Sequence, residues 1–354
     1  MSGRAAGARR SIHFSKPARR KPRLRRSGRL AFNGSSGRAG THRIARVAPA
    51  ARANERSFFM NALQLVTLAA IWGASFLFMR MGAPAFGVVP LIALRVAIAA
   101  LLLSPVLRDA GARRELRTHV VPLFVVGVAN SALPFCLLTY AALFVTAGTD
   151  SILNATTPLW AAIVAYLWLR TPLTKPQAIG LALGFAGVVV LAGSAVGAGA
   201  AGAPGAIVAA MIATLSYGFA AHYSKRRLAN VRPFVSAFGS QLFAALVLAP
   251  LAAPMWPGSA VPAAAWIAVV LLGALCTAVA YLLYFGLIRS AGAQYAASVT
   301  FLIPIFGVVW GAIFLHETVT VQTIAGCAII LLGTALATGK IKGFTAAVAR
   351  GSRQ

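Results

Sequence analysis

The sequence predicts an all-α, polytopic membrane protein in which ten transmembrane helices form two inverted five-helix repeats. Three observations predict it: an apolar composition, basic residues confined to alternate loops, and landmarks that recur about 145 residues apart. Of 354 residues, 59% are hydrophobic and 11% charged, with a mean hydropathy of +0.79, well outside soluble usage. About twenty helical residues cross a hydrocarbon layer of about 30 Å, and apolar stretches near that length recur along the chain. They lack the strict alternation of a membrane β-strand, so helices that satisfy their own backbone hydrogen bonds remain.

Spans are expected at about 61–80, 86–107, 119–142, 148–169, 176–194, 204–223, 234–253, 263–288, 292–315 and 319–338. The net charge of +28 divides into +15 over residues 1–59 and +13 over residues 60–354. With the amino terminus in the cytoplasm, Arg108, Arg113, Arg114, Arg117, Arg170, Lys175, Lys225, Arg226, Arg227, Arg232, Arg289, Lys340, Lys342, Arg350 and Arg353 all fall on the cytoplasmic side. Among loop residues only Arg80 falls outside, which is the bias that sets membrane orientation. Both termini are thus expected in the cytoplasm. High Arg, Ala and Gly usage suggests a GC-rich bacterium, hence an inner (plasma) membrane.

The repeat supports the same count. Trp72-Gly73 and Pro105 recur as Tyr217-Gly218 and Pro250; Tyr140 and Ala147-Gly148 recur as Tyr284 and Ala291-Gly292; Pro158, Gly180 and Gly187 recur as Pro304, Gly326 and Gly333. Five spans per half is odd, so the second half, 204–338, inserts upside down relative to the first, 61–194. Two such halves can exchange conformations, the physical basis of alternating access.

Residues 1–59 are Arg-, Ser-, Gly- and Ala-rich and are expected to be disordered, without an apolar core for a signal peptide. Three readings stand: translation upstream of a true start near Met60, a basic tail attracted to anionic lipid, or a targeting sequence. Residues 339–354 form a cytoplasmic tail.

The segments IWGASF, LIALRVAIAALLL, NATTPLWAAIVAYLWL and SVTFLIPIFGVVWGAIFLHET, with glycine-spaced fifth and tenth spans, resemble the EamA-type branch of the drug/metabolite transporter superfamily over about residues 61–338. The resemblance implies a ten-helix inverted-repeat fold with a central cavity and export of small metabolites, amino-acid-like or drug-like. It also implies a Glu at the end of both the fourth and ninth spans. Here Glu317 fits, but its partner position is Thr171, so an end-capping role for Glu317 is favoured over a symmetric one.

Arg95 lies near the middle of the second span, where a charge costs about 2.5 to 3.5 kcal/mol and demands compensation. It either faces a water-filled cavity and attracts a carboxylate or phosphate, or is tied to helix-end carbonyls or an interface. Its repeat mate is Ser240, beside Gln241. Asn154, Thr156 and Thr157 precede Pro158, and Ser298 and Thr300 precede Pro304. Proline frees carbonyls in the preceding turn, so these positions can line a cavity or bond helix to helix. Asn130, Trp72, Tyr140, Tyr217, Tyr281 and Tyr284 are further candidates, the aromatics for gripping an organic solute. Asp150, His316 and Glu317 are expected as solvated groups at external span ends, or as proton carriers.

No cofactor or metal is expected, because Cys136, Cys276 and Cys327 are dispersed through apolar segments without ligand spacing. No HExxH, DxxD or G-x-S-x-G pattern with a matching His occurs, which argues against an enzyme. The expected partners are a small-molecule substrate and the lipid bilayer, with no nucleic acid. Gly180-x-x-x-Gly184 and Gly307-x-x-x-Gly311 pack helices within the bundle or at a homodimer contact. A membrane scaffold, or an importer of the same fold, is the alternative to an exporter.

Overall fold

The computed structural model describes residues 44–197 and 201–340. Apart from the start of the first helix, the features below belong to the described residues from 53 onward. Among the described residues nine helices are long and apolar enough to cross a membrane: Phe59–Phe86, Val88–Arg108, Val120–Ala141, Ala147–Leu169, Lys175–Gly193, Ala203–Arg227, Pro233–Ala252, Ala263–Ala291 and Ala293–Leu315. The shorter apolar helix Val321–Ala337 makes the tenth span. No strand occurs among the described residues. The helix of the first span begins at Ile44, within the stretch expected as a tail. The remainder of that tail, and residues 341–354, lie outside the described residues.

The two halves match in local detail. Residues Val128–Ala132 in the third span and Ala274–Val279 in the eighth each form a π-helical turn, a rare insertion that re-aims side chains and is frequent at functional sites. Arg170 and His316, which end the fourth and ninth spans, are the two non-glycine residues with positive φ among the described residues, at 52° and 54°. Contacts follow the same symmetry. A Cβ at Gly73 would meet Phe306 and Gly307, and one at Gly218 would meet Trp160 and Ala161, so first-to-ninth packing mirrors sixth-to-fourth. The fifth and tenth spans cross on Gly180 against Gly333 and Ala337, with Gly184 against Leu159. Gly307 lies on Ser151 and Gly311 on Glu317. All four glycines of the two motifs therefore permit close approach inside this chain.

Prolines shape the fourth span. Ala147–Asn154 and Thr157–Leu169 are separate helices within it, the second having Pro158 in its first turn. Pro158 has no N–H for the Asn154 carbonyl, and that carbonyl instead accepts from Thr157 Oγ1 at 2.8 Å. Thr156 Oγ1 does the same for the Leu153 carbonyl at 2.7 Å.

A short helix, Ala110–Thr118, sits in what reads from sequence as a loop. Asp109 caps it, accepting from Gly111 N–H at 2.6 Å. Arg232, at the start of the seventh span, bonds the Asp109 carboxylate and Glu115 Oε1, the latter at 2.8 Å. The Arg232 hydrogen bond, helped by the Gly111 N–H, holds the Asp109 carboxyl below the usual carboxylate range. A depressed carboxyl contributes its stability above the unfolded value and loses it as pH falls through the folded one. Amides of Ala110–Thr118 are thus expected to stay protected from exchange at neutral pH and to open only below about pH 4. Protection independent of pH over that window would contradict the cap.

Candidate functional site

A cavity of about 430 Å³ lies between the halves, lined from the first, second, third, fourth, sixth, eighth and ninth spans. Nine of the residues singled out from sequence meet on its wall: Arg95, Trp72, Asn130, Asn154, Thr157, Tyr217, Tyr281, Tyr284 and Thr300. The rest of the lining includes Ser75, Met79, Phe135, Cys276 and Thr277.

Arg95 is 4% exposed. Its Nε donates to Thr277 Oγ1 at 3.1 Å, its Nη1 approaches Met79 Sδ at 3.7 Å, and its guanidinium carbon stands 3.7 Å over the Phe135 ring. Such a desolvated cation–π contact is worth about 2 kcal/mol. Together these offset part of the insertion cost without a carboxylate: none pairs with Arg95 among the described residues. The positive charge stays uncompensated beside the cavity, with guanidinium donors unspent. Much of the remaining wall is aromatic. Trp72 and Tyr284 have ring centroids 5.4 Å apart, and Tyr217 stands edge-on to Phe135 at 6.5 Å. The arrangement can take an organic solute with an anionic group at one end and an apolar body.

Four solute-site candidates, Tyr140, Gln241, Ser298 and Thr156, lie outside this lining. Tyr140, at the end of the third span, is 38% exposed and packs against Phe144, with ring centroids 5.1 Å apart and planes tilted by 59°. Gln241 is fully buried and bridges the seventh and third spans, donating to Ser131 Oγ at 2.9 Å. Ser298 donates to the Tyr295 carbonyl at 2.6 Å. Thr157 and Thr300 line the cavity but give their hydroxyl protons to backbone carbonyls of Asn154 and Ala297, both one turn earlier. Asn154 makes no side-chain hydrogen bond among the described residues, so its amide is the polar group of the fourth span free to meet a solute.

Sequence reasoning missed Thr277, the Arg95 partner. One signal could have found it: Thr277 lies 146 residues after Ser131, and Ser131 bonds Gln241, the neighbour of Ser240, the repeat mate of Arg95. Phe135 and Ser75 carry no such signal.

Beyond the cavity, Arg80 of the first span donates to the carbonyls of Ala142 and Val145 at 2.7 and 2.8 Å and pairs with Glu317 at 3.1 Å. Glu317 in turn accepts from the N–H groups of Ala147 and Gly148 at 2.9 and 3.4 Å, where a carboxylate also meets the positive end of a helix. This latch ties together the first span, the connection between the third and fourth, and the end of the ninth. Glu317 is thus no solvated group; its side chain is 9% exposed. Asp150 also departs from expectation, being 0% exposed. The small residues around it cause this: Gly148 packs on Val308 and Ser151 on Gly307, drawing the first turn of the fourth span into the bundle.

A sequence model described as the EamA-like transporter family matches the chain twice, over residues 60–193 and 204–339. An uncharacterized transporter of Bacillus subtilis, YvbV, is 28% identical over 64% of this chain and 74% of its own length. A probable terminal-alkyne amino-acid exporter of Streptantibioticus cattleyicolor is 26% identical over 77% of this chain and 91% of its own. A solved structure at 19% identity, covering 79% of this chain and 97% of the other with a TM-score of 0.57, shares the fold. With two copies of the family domain spanning most of its length, the chain is a multi-pass membrane protein that belongs to the EamA-like transporter family.

Proposed function

We propose that the protein exports small carboxylate-bearing solutes of amino-acid type, held in the central cavity and moved by alternating access of repeats 61–194 and 204–338. The observation that carries this reading is the buried Arg95 guanidinium, set without a carboxylate partner in an aromatic-walled cavity. The likeness to a probable amino-acid exporter supports the same class. The charge alternation along the sequence supports an inner-membrane setting with both termini cytoplasmic, which puts the Arg80–Glu317 latch outside. The lining reaches the exposed residues Ala221 and Ala297, near the ends of their spans opposite to that latch. In this orientation the cavity loads from the cytoplasm, as export requires.

The test is counterflow in proteoliposomes. Vesicles loaded with one unlabelled amino acid from a panel of L-leucine, L-phenylalanine, L-tryptophan and L-threonine are diluted into the same labelled compound. Transient accumulation is expected for at least one member and none for its carboxamide. Absence of flux for the whole panel would overturn the reading and leave a scaffold in its place.

A further inference from the structure

We propose that the preferred cargo is a monoanion: an amino-acid-type carboxylate whose nitrogen is acylated or replaced by oxygen, carried ahead of the zwitterionic amino acid. The inference rests on the carrier reading above and narrows its substrate class.

Net charge decides between the two forms. Arg95 puts a full positive charge on the cavity wall, and none of the five acidic residues of the chain lines that wall. Asp109 and Glu115 pair with Arg232 beyond the second span, and Glu317 is held in the latch. Asp150 is 0% exposed and offers no oxygen to a solute, and Glu55 precedes the first span. A carboxylate bound at the guanidinium therefore neutralises the site. A zwitterion brings the same carboxylate together with an ammonium, and the occupied cavity keeps its net charge in surroundings of low dielectric. The ammonium also stands beside a like charge, because it hangs on the carbon that bears the carboxylate.

The polar groups around Arg95 suit a neutral substituent. Thr277 Oγ1 accepts from Arg95 at 3.1 Å and gives its own proton to the Leu272 carbonyl at 2.8 Å. Ser75 lies one turn before Met79, which touches Arg95. Its Oγ is buried beside the cavity without a hydrogen-bond partner among the described residues. That hydroxyl both donates and accepts, as does the free amide of Asn154, so each matches a hydroxyl, carbonyl or amide on the solute. An ammonium uses only their accepting side and gives up a hydration shell that is far costlier to shed. The rings of Trp72 and Tyr284 return part of that cost as cation–π attraction, but they are turned on one another with centroids 5.4 Å apart. A cavity of about 430 Å³ lies within the range of small-molecule sites and leaves room for an acyl group.

The test compares solutes that differ at one substituent. In proteoliposomes of the wild-type protein, counterflow of the panel amino acid with the highest flux is inhibited by that amino acid unlabelled, by its L-2-hydroxy analogue or by its N-acetyl derivative. For L-phenylalanine the analogue is L-3-phenyllactate, with a hydroxyl in place of the ammonium, and protein-free vesicles supply the leak baseline. Both derivatives are expected to inhibit at concentrations at least about tenfold below the amino acid, a difference of about 1.4 kcal/mol. The labelled hydroxy acid is expected to show counterflow of its own. Arg95→Gln, polar but uncharged, is expected to cut the preference to about twofold or less, whereas a merely structural role would lower all fluxes and leave the ratio. The wild-type comparison decides alone where that variant carries too little flux to measure. Inhibition by the amino acid equal to or stronger than by its hydroxy analogue, a hydroxy acid that inhibits without counterflow, or a preference unchanged in Arg95→Gln would each overturn the proposal. Absence of counterflow for the amino acids and their analogues alike would instead strike the carrier reading itself.

Discussion

Arg95→Ala is expected to weaken the apparent affinity for carboxylate-bearing solutes about 10- to 100-fold, because a hydrogen bond to a charged group contributes about 1.5 to 3 kcal/mol. Counterflow of the amino acid should collapse accordingly, while residual flux of its carboxamide, if any, should be unchanged. Arg95→Lys should recover only part of the loss, since an ammonium keeps the charge but not the planar fork that fits a carboxylate. The same side chain also bonds Thr277 and covers Phe135, so protein abundance has to be measured beside transport. Abundance is expected to fall far less than flux, because Ala removes the insertion cost of the charge along with its contacts. Equal loss of abundance and transport would assign Arg95 a structural role and remove the anion site from the cavity.

Arg95 was legible because a lone cation in an apolar span is conspicuous, and Trp72 and Tyr217 because they recur at the repeat spacing. The spans were legible within a few residues because hydrophobic length and charge alternation are imposed by the bilayer itself. The remainder depends on geometry that leaves little mark on a sequence. The π-helical turns at Val128–Ala132 and Ala274–Val279 shift the register of the third and eighth spans, which decides that Asn130 and Thr277 reach the cavity. Thr157 and Thr300 read as solute-binding hydroxyls, but each gives its proton to a carbonyl one turn earlier, and at Thr157 this repairs the N–H that Pro158 withdraws from Asn154. Tyr140 has the sequence credentials of Tyr284 yet sits at the end of its span, beside Phe144. Asp150 read as a solvated helix end because the helix does begin nearby. Its burial follows from the closeness of Gly148 and Ser151 to the ninth span, a tertiary fact.

Glu317→Ala is expected to shift the protein toward the conformation open at the latch end. The carboxylate joins Arg80 to the first turn of the fourth span through one ion pair and two backbone N–H groups. Losing about 3 kcal/mol from the closed state alone would move the ratio of the two conformations about 100-fold. The repeat gives the argument its direction. The mates of Arg80 and Glu317 are Lys225 and Thr171, and both are exposed without a side-chain hydrogen bond among the described residues. Lys225 and Thr171 thus form no counterpart of this latch among the described residues, and the Glu317 carboxylate biases the balance of the two states toward the one closed at its own end. Cys276, on the cavity wall, is a native reporter once Cys136 and Cys327 are replaced by Ala. Its labelling by an impermeant maleimide added from the Glu317 side is expected to accelerate at least about tenfold in Glu317→Ala, with Glu317→Gln intermediate because an amide still accepts the N–H bonds. Labelling from the opposite side should slow in step, since the two conformations share one population. Unchanged rates from both sides would reduce the latch to a helix cap and leave the closed end held by packing alone.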